Sequence, residues 1–219
     1  MASVRNLALA WHGGIFLAAF GAVGLGWPDL SWPWYLLLPL LLYAGITILV
    51  PSLRRTAPRL RIGRLCGAPL ACAVILSSTV AGFLVGYHKI VDPNVRDLAD
   101  RLPIAMFGGV ICAGVCFSVV NALLEELMFR GILWEIVAGE WNAPLALGVT
   151  AVLFGVGHYH GYPPGLVGAI LAGIYGVALG LMRWTTGGLG LAVACHISAD
   201  ATIFSLLVGE RATSAGNMP

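Results

Sequence analysis

The chain has 219 residues, of which 59% are hydrophobic and 10% are charged, and its mean hydropathy is +0.90. Because about a quarter of the residues are charged in an ordinary soluble domain, this composition excludes a soluble globular protein. The net charge of +2 comes from few, scattered basic residues, which excludes a nucleic-acid-binding surface. A helix needs about 20 apolar residues to cross a bilayer. We therefore predict an all-α, polytopic helical bundle embedded in the lipid bilayer.

Seven apolar runs, separated by proline, glycine and charged residues, predict about seven transmembrane helices. In chain order they cover residues 7–27, 34–50, 65–87, 103–138, 144–160, 164–182 and 188–208. At about 1.5 Å per residue the fourth run is too long for one straight crossing, so it must tilt, protrude or break, with Gly131 as the expected point of a break. The runs divide the chain into an N-terminal three-helix region at 1–102, a helical core at 103–208 and a polar tail at 209–219.

The basic residues predict the orientation of the chain. The segment 51–64 between the second and third spans contains five arginines and no acidic residue: Arg54, Arg55, Arg59, Arg61 and Arg64. With Arg5 and Arg183 they make seven basic residues on one side of the membrane, against four on the other (Lys89, Arg96, Arg101 and Arg211). Because cytoplasmic loops carry the excess of basic residues, we predict that the N-terminus is cytoplasmic.

Several ionisable residues lie within the predicted spans, where each costs roughly 2.5 to 3.5 kcal/mol on insertion scales. Glu126 and Arg130 are four residues apart on one face of the fourth span, so they can neutralise each other as a structural ion pair. Glu125 is turned about 100° away and lacks such a partner. A carboxylate without a counter-charge is suited to accept a proton as a general base.

Counting along the helices places four of these residues in one layer. Glu125 lies 14 residues before the turn at 139–143 and His158 lies 15 residues after it, so both lie about 20 Å from that turn. The loop at 183–187 lies on the same side of the membrane as that turn. His196 and Asp200 then lie about 14 and 20 Å from this loop. One unpaired carboxylate, two imidazoles and an acid at one depth predict a hydrolytic site, with a base for water and donors for an oxyanion.

Other protease chemistries find little support. The sequence contains no His-Glu-x-x-His motif and no Gly-x-Ser-x-Gly motif, and one intramembrane aspartate is too few for an aspartyl dyad. Three alternatives stay open. A zinc hydrolase would use His158 and His196 with Glu125 or Asp200. A membrane scaffold or bacteriocin-immunity-type protein would bind a partner without cutting it, and a proton-coupled transporter would move protons through the same layer.

Three ordered motifs on hydrophobic helices resemble those of the CPBP family, the CAAX proteases and bacteriocin-processing enzymes also called Abi proteins. The motifs are Glu125-Glu126-x-x-x-Arg130, Phe154-x-x-x-His158 and His196-x-x-x-Asp200. The resemblance covers about residues 103–208, and the order of the motifs together with Phe129-Arg130-Gly131 makes it specific.

The resemblance implies a membrane-embedded glutamic endopeptidase that uses no metal and no cofactor. Glu125 and His158 would activate water, while His196 and Asp200 would stabilise the oxyanion. The substrate would be a membrane-associated or lipidated protein or peptide, and the location the bacterial plasma membrane. The prenyl-protease branch has asparagine where this chain has Asp200. Because an ionised aspartate cannot donate a hydrogen bond, Asp200 must be protonated or must instead orient His196, and prenyl specificity stays open.

Overall fold

The structure, a computed structural model, describes residues 2–216, with side chains described for residues 7–212. This part of the chain is helical and contains no strand. Arg5 and residues 217–219, which entered the sequence-based predictions, lie outside the described side chains. The helices are α1 (Ala2–Gly26), α2 (Trp34–Leu49), α3 (Pro51–Thr56), α4 (Ala68–Val91), α5 (Arg96–Asp100), α6 (Val110–Glu126), α7 (Trp134–Glu140), α8 (Ala143–Gly157), α9 (Gly165–Thr186) and α10 (Gly190–Gly216).

Five helical stretches within the described residues are long and apolar enough to cross a membrane. They are Leu7–Gly26, Ala68–Val91, Val110–Glu140, Gly165–Thr186 and Gly190–Ala212, and two further apolar helices, α2 and α8, are shorter. The prediction of an all-α membrane bundle is confirmed. Each of the seven predicted spans coincides with one of these helices, although several predicted ends were wrong.

The beginning of the fourth span is one such correction. The prediction placed it at Pro103, but residues 101–109 contain turns and α6 begins at Val110. Gly108 has a φ of 69°, a left-handed conformation that glycine adopts readily and that interrupts a helix. The segment 88–101, predicted as a loop, is partly helical, because α4 continues to Val91 and α5 follows it. Likewise, residues 209–216 of the predicted tail continue α10.

The fourth span is not broken at Gly131. A π-helical segment, Leu127–Leu133, contains this glycine and joins α6 to α7, so that helix runs from Val110 to Glu140. A π-helical turn closes by i→i+5 hydrogen bonds and frequently occurs at functional sites. The backbone oxygen of Arg130, inside the segment, accepts a hydrogen bond from Arg183 Nε of α9 at 3.2 Å. This bond joins α9 to the middle of the fourth span.

One end of the bundle, which we call the basic face, carries Arg54, Arg55, Arg59, Arg61 and Arg64. There the non-helical segment 57–67 contacts the turn between α9 and α10: Leu189 N donates to Arg61 O at 2.8 Å and Gly190 N to Ile62 O at 2.8 Å. A side chain at Gly188 would meet the backbone of residues 62 and 63 at little more than 2 Å. Glycine therefore permits this close approach.

The opposite end, which we call the distal face, consists of the segments 27–33, 92–109 and 158–164. The ring of Trp32 lies 6.5 Å from that of Phe107, and His88 Nδ1 lies 3.0 Å from Tyr162 Oη. The first contact joins segment 27–33 to segment 92–109, and the second joins segment 158–164 to the end of α4.

Small residues allow α8 and α9 to pack with their backbones close together. A Cβ atom at Gly155 would lie 2.6 Å from Ala169 O, and one at Gly176 would lie 3.1 Å from the Cα atom of Ala151. Such close packing is typical of a stripe of small residues at i, i+4 spacing, which on α9 consists of Gly168, Ala172, Gly176 and Gly180. The close contact fixes α8, which ends beside His158, against α9.

Candidate active site

The four residues predicted to form a hydrolytic layer lie together in the structure. Glu125 Oε2 lies 3.6 Å from His158 Nε2 and 3.8 Å from His196 Nε2. His196 Nε2 lies 3.7 Å from Asp200 Oδ1. Glu125 is on α6, His158 directly follows α8, and the other two are one turn apart on α10. The counting argument therefore identified residues that share one cluster.

The orientation of His158 follows from the residue one turn before it. His158 Nδ1 lies 2.7 Å from the backbone oxygen of Phe154, and because a carbonyl oxygen only accepts, Nδ1 carries the hydrogen and donates. The imidazole also packs against the Phe154 ring, with the centroids 4.2 Å apart. The remaining nitrogen, Nε2, is thereby directed at Glu125.

Glu126 has a second contact that the sequence did not reveal. Arg130 Nη1 donates to Glu126 Oε1 at 2.7 Å, and neither side chain is exposed, as the i, i+4 spacing predicted. The same Oε1 atom lies 2.9 Å from His196 Nδ1. A carboxylate paired with a guanidinium accepts hydrogen bonds, so His196 donates from Nδ1 and directs Nε2 toward Glu125 and Asp200. Glu126 is therefore a positioning residue for His196 as well as half of an ion pair.

Arg130 joins three parts of the bundle. Besides its bond to Glu126, it donates from Nη2 to the backbone oxygen of Gly176 on α9 at 3.0 Å. Its guanidinium lies over the ring of Phe154 on α8, 4.4 Å from the centroid, which is within the range of a cation–π contact. The ion pair, the helix packing and the orientation of His158 thus depend on the same side chain.

Asn121 and Trp32 are the residues that the sequence analysis missed. Asn121 Nδ2 donates to Glu125 Oε1 and to Asp200 Oδ2, at 3.2 Å each. Its Oδ1 atom accepts from Trp32 Nε1 at 3.0 Å, and because indole only donates, this contact determines which way the amide faces. The spacing of Asn121, four residues before Glu125 within a span, was a usable signal. No sequence signal pointed to Trp32, which lies between the first two predicted spans.

A cavity of about 310 Å³ opens beside the cluster. Its wall includes His158, His196 and Asp200, and most of the remaining lining consists of apolar residues of α4, α9 and α10. Tyr175 also lines it, with its ring edge-on to His196 at 6.2 Å between centroids. The buried Tyr175 hydroxyl has no hydrogen-bond partner among the described residues. The cavity therefore gives an apolar ligand access to the polar cluster.

Three other polar residues of the spans lie outside the cluster. His12 is buried near the basic face, with Nδ1 2.9 Å from Tyr43 Oη and Nε2 3.2 Å from Thr56 Oγ1. Glu135 forms an ion pair with Arg183 at 2.6 Å. His160 lies in the turn after α8. Within the described part of the chain, no group of three or more His, Cys, Asp or Glu side chains is arranged to hold a metal ion.

Comparison with known proteins identifies the segment that contains this cluster. Residues 107–202 match the model of the family described as type II CAAX prenyl endopeptidase Rce1-like. No curated protein and no solved structure matches the chain. The matched residues include the whole candidate site except Trp32, and they confirm the resemblance to CAAX proteases that the three motifs predicted. Residues 107–202, a little under half of the chain, are thus similar to the Rce1-like family of membrane proteases.

Proposed function

We propose that the chain is an intramembrane endopeptidase that hydrolyses a peptide bond of a membrane-associated or lipidated protein with water activated by Glu125 and His158. One observation carries the proposal. Glu125 Oε2 is buried, accepts no hydrogen bond from any residue that the structure describes, and faces the Nε2 atoms of two histidines. Asn121 holds the other carboxylate oxygen. This carboxylate is oriented for chemistry rather than for a structural contact.

In the first step of the proposed reaction, each hydrogen of the attacking water has its own acceptor. Glu125 Oε2 and neutral His158 Nε2 both accept, and at 3.6 Å a water beside them can donate one hydrogen to each. Its lone pair then attacks the carbonyl carbon of the substrate as one proton passes to the Glu125–His158 pair. That pair returns the proton to the amide nitrogen when the carbon–nitrogen bond breaks, which is general base and then general acid catalysis.

The charge balance of the cluster supports an oxyanion site at His196 and Asp200. Glu125, Glu126 and Asp200 are three carboxyl groups beside one guanidinium, that of Arg130, and net charge in an apolar interior is costly. Two further protons bring the cluster to neutrality. We assign one to His196, which then donates from Nε2 to the oxyanion while Nδ1 binds Glu126. We assign the other proton to Asp200. Its carboxyl group can then donate a hydrogen bond, which an ionised aspartate cannot do.

The cavity beside the cluster supports an apolar substrate segment. Its lining from α4 includes Leu76 and Phe83, and its lining from α9 includes Leu171 and Ile174. Binding sites for apolar groups combine such a lining with a few placed polar groups, and here these are His158, His196, Asp200 and the Tyr175 hydroxyl. A lipid-modified cysteine or an apolar stretch of chain would be held with its peptide bond next to Glu125.

The orientation of the chain is part of the proposal. We infer that the basic face is cytoplasmic, because it carries the excess of arginines, and that the site then lies nearer the distal face. In a variant whose only cysteine is Cys66, which is exposed on segment 57–67, a membrane-impermeant maleimide should react only after the cells are permeabilised. The same background with Asp92→Cys on the distal face should react in intact cells. The reverse pattern would contradict this orientation.

The test of the proposed reaction is a comparison of new peptide termini in membrane and secreted proteins. Cells would carry the wild type, Glu125→Gln, or the matched control Asp97→Asn, which changes an exposed acid on α5, all at equal expression. Termini that disappear only in Glu125→Gln would support the proposal and identify the substrate. Identical termini in all three would favour a scaffold that binds without cutting. Cleavage lost in a strong chelator and restored by zinc would instead indicate a zinc hydrolase.

A further inference from the structure

A second cavity, of about 470 Å³, lies at the basic face, away from the candidate active site. It is lined by residues of α3, of segment 57–67, of the first turn of α7 and of the end of α9, together with Leu9 of α1. We propose that this cavity binds the headgroup of an anionic phospholipid, with the phosphate held by Arg55, Arg59 and Arg61.

The charge of the cavity points to an anion. Its lining contains four guanidinium groups, from Arg55, Arg59, Arg61 and Arg183, and one carboxylate, Glu135. Arg183 already pairs with that carboxylate at 2.6 Å. None of the ion pairs among the described side chains involves the other three arginines. Three like charges around one cavity repel each other, and a phosphate group would relieve this repulsion while its oxygens accept from the planar guanidinium groups.

The position of the cavity in the membrane points to a lipid. Trp11, Trp141 and Trp184 lie near this end of the bundle and are 62%, 65% and 46% exposed. Exposed tryptophans are enriched where the hydrocarbon core meets the headgroups. The cavity therefore lies at the depth of lipid phosphates, where basic pockets on the cytoplasmic side bind anionic headgroups.

Segment 57–67 itself combines the two chemistries of a phospholipid. Arginine and apolar residues alternate along Arg59-Leu60-Arg61-Ile62. Leu60 and Ile62 are 54% and 68% exposed, so they are available to acyl chains while the arginines line the cavity. A soluble phosphate would use only the arginines, which is why we assign the site to a lipid.

The experiment measures thermal unfolding of the full chain in neutral detergent micelles as ligand is added. The ligands are short-chain phosphatidylglycerol, phosphatidylcholine with the same acyl chains, and glycerol phosphate. The test variant is Arg59→Gln/Arg61→Gln. The matched control, Arg54→Gln/Arg96→Gln, removes the same charge from exposed arginines that do not line the cavity. Arg55→Gln repeats the test from α3, so that a folding defect in segment 57–67 would not decide the result.

We expect phosphatidylglycerol to raise the unfolding midpoint of the wild type and of the control. Since each arginine near a lipid surface contributes on the order of a fivefold gain in affinity, the test variant should bind roughly 30-fold more weakly, and Arg55→Gln roughly fivefold. Three results would overturn the proposal. An equal rise with phosphatidylcholine would mean a general lipid effect, an equal rise with glycerol phosphate would mean a soluble ligand, and equal weakening in the control would mean diffuse surface charge.

Discussion

Substitution of Arg130 by alanine would remove a guanidinium that three helices share. Its Nη1 atom lies 2.7 Å from Glu126 Oε1 with neither side chain exposed, and its Nη2 atom donates to Gly176 O at 3.0 Å. After the substitution, Glu126 keeps a buried carboxylate whose only donor among the described residues is His196. Removing one partner of a buried ion pair lowers the free energy of unfolding by about 3–5 kcal/mol. At about 1.4 kcal/mol per tenfold, the ratio of folded to unfolded protein should fall about 10²- to 10⁴-fold.

The assay is the yield of monodisperse protein after detergent extraction, together with its thermal unfolding. Arg54→Ala, which removes an exposed arginine of the basic face, should leave both unchanged. Arg130→Ala/Glu126→Leu removes the stranded carboxylate as well and should recover part of the lost stability, since two partners replaced together leave no unpaired charge. An unfolding midpoint for Arg130→Ala equal to that of the wild type would refute the reasoning, and so would a double variant less stable than the single one.

Two of the three further predictions use the substrate that the comparison of termini identifies, and the third uses thermal unfolding. Asn121→Leu should lower turnover by roughly 10- to 100-fold, because it releases two carboxyl groups. Trp32→Phe removes one neutral hydrogen bond and should lower turnover only about fivefold. Equal losses in the two variants would contradict the proposed order of contacts. His196→Ala should lower turnover by roughly 10²- to 10³-fold if its Nε2 donates to the oxyanion, and near-normal turnover would dismiss that role. Gly176→Leu should cost about 1–3 kcal/mol of stability, because the new side chain overpacks against α8. The control Gly21→Leu should not, since no atom lies within 4 Å of its Cβ position. The same unfolding midpoint for both variants would contradict the packing described for α9.

The comparison between sequence and structure is clearest on the fourth span. Helix rise and period are local properties, and three features of this span follow from them. These are its length, which exceeds one crossing, the i, i+4 pair of Glu126 and Arg130, and an irregularity near Gly131. The form of the irregularity does not follow from them. The π-helical segment Leu127–Leu133 is stabilised in part by the contact of Arg130 O with Arg183 of α9, which depends on how the two helices pack.

The sequence by itself determined the helical membrane bundle, the family resemblance and the four residues of the candidate site, because hydropathy, spacing and depth can be counted along one chain. Only the tertiary structure showed that Glu126 binds His196, that Asn121 bridges Glu125 and Asp200, and that Trp32 orients that amide. These contacts depend on the rotation of each helix about its axis and on which loops fold back against the bundle. Both are decided by packing between segments far apart in sequence, which no local period encodes.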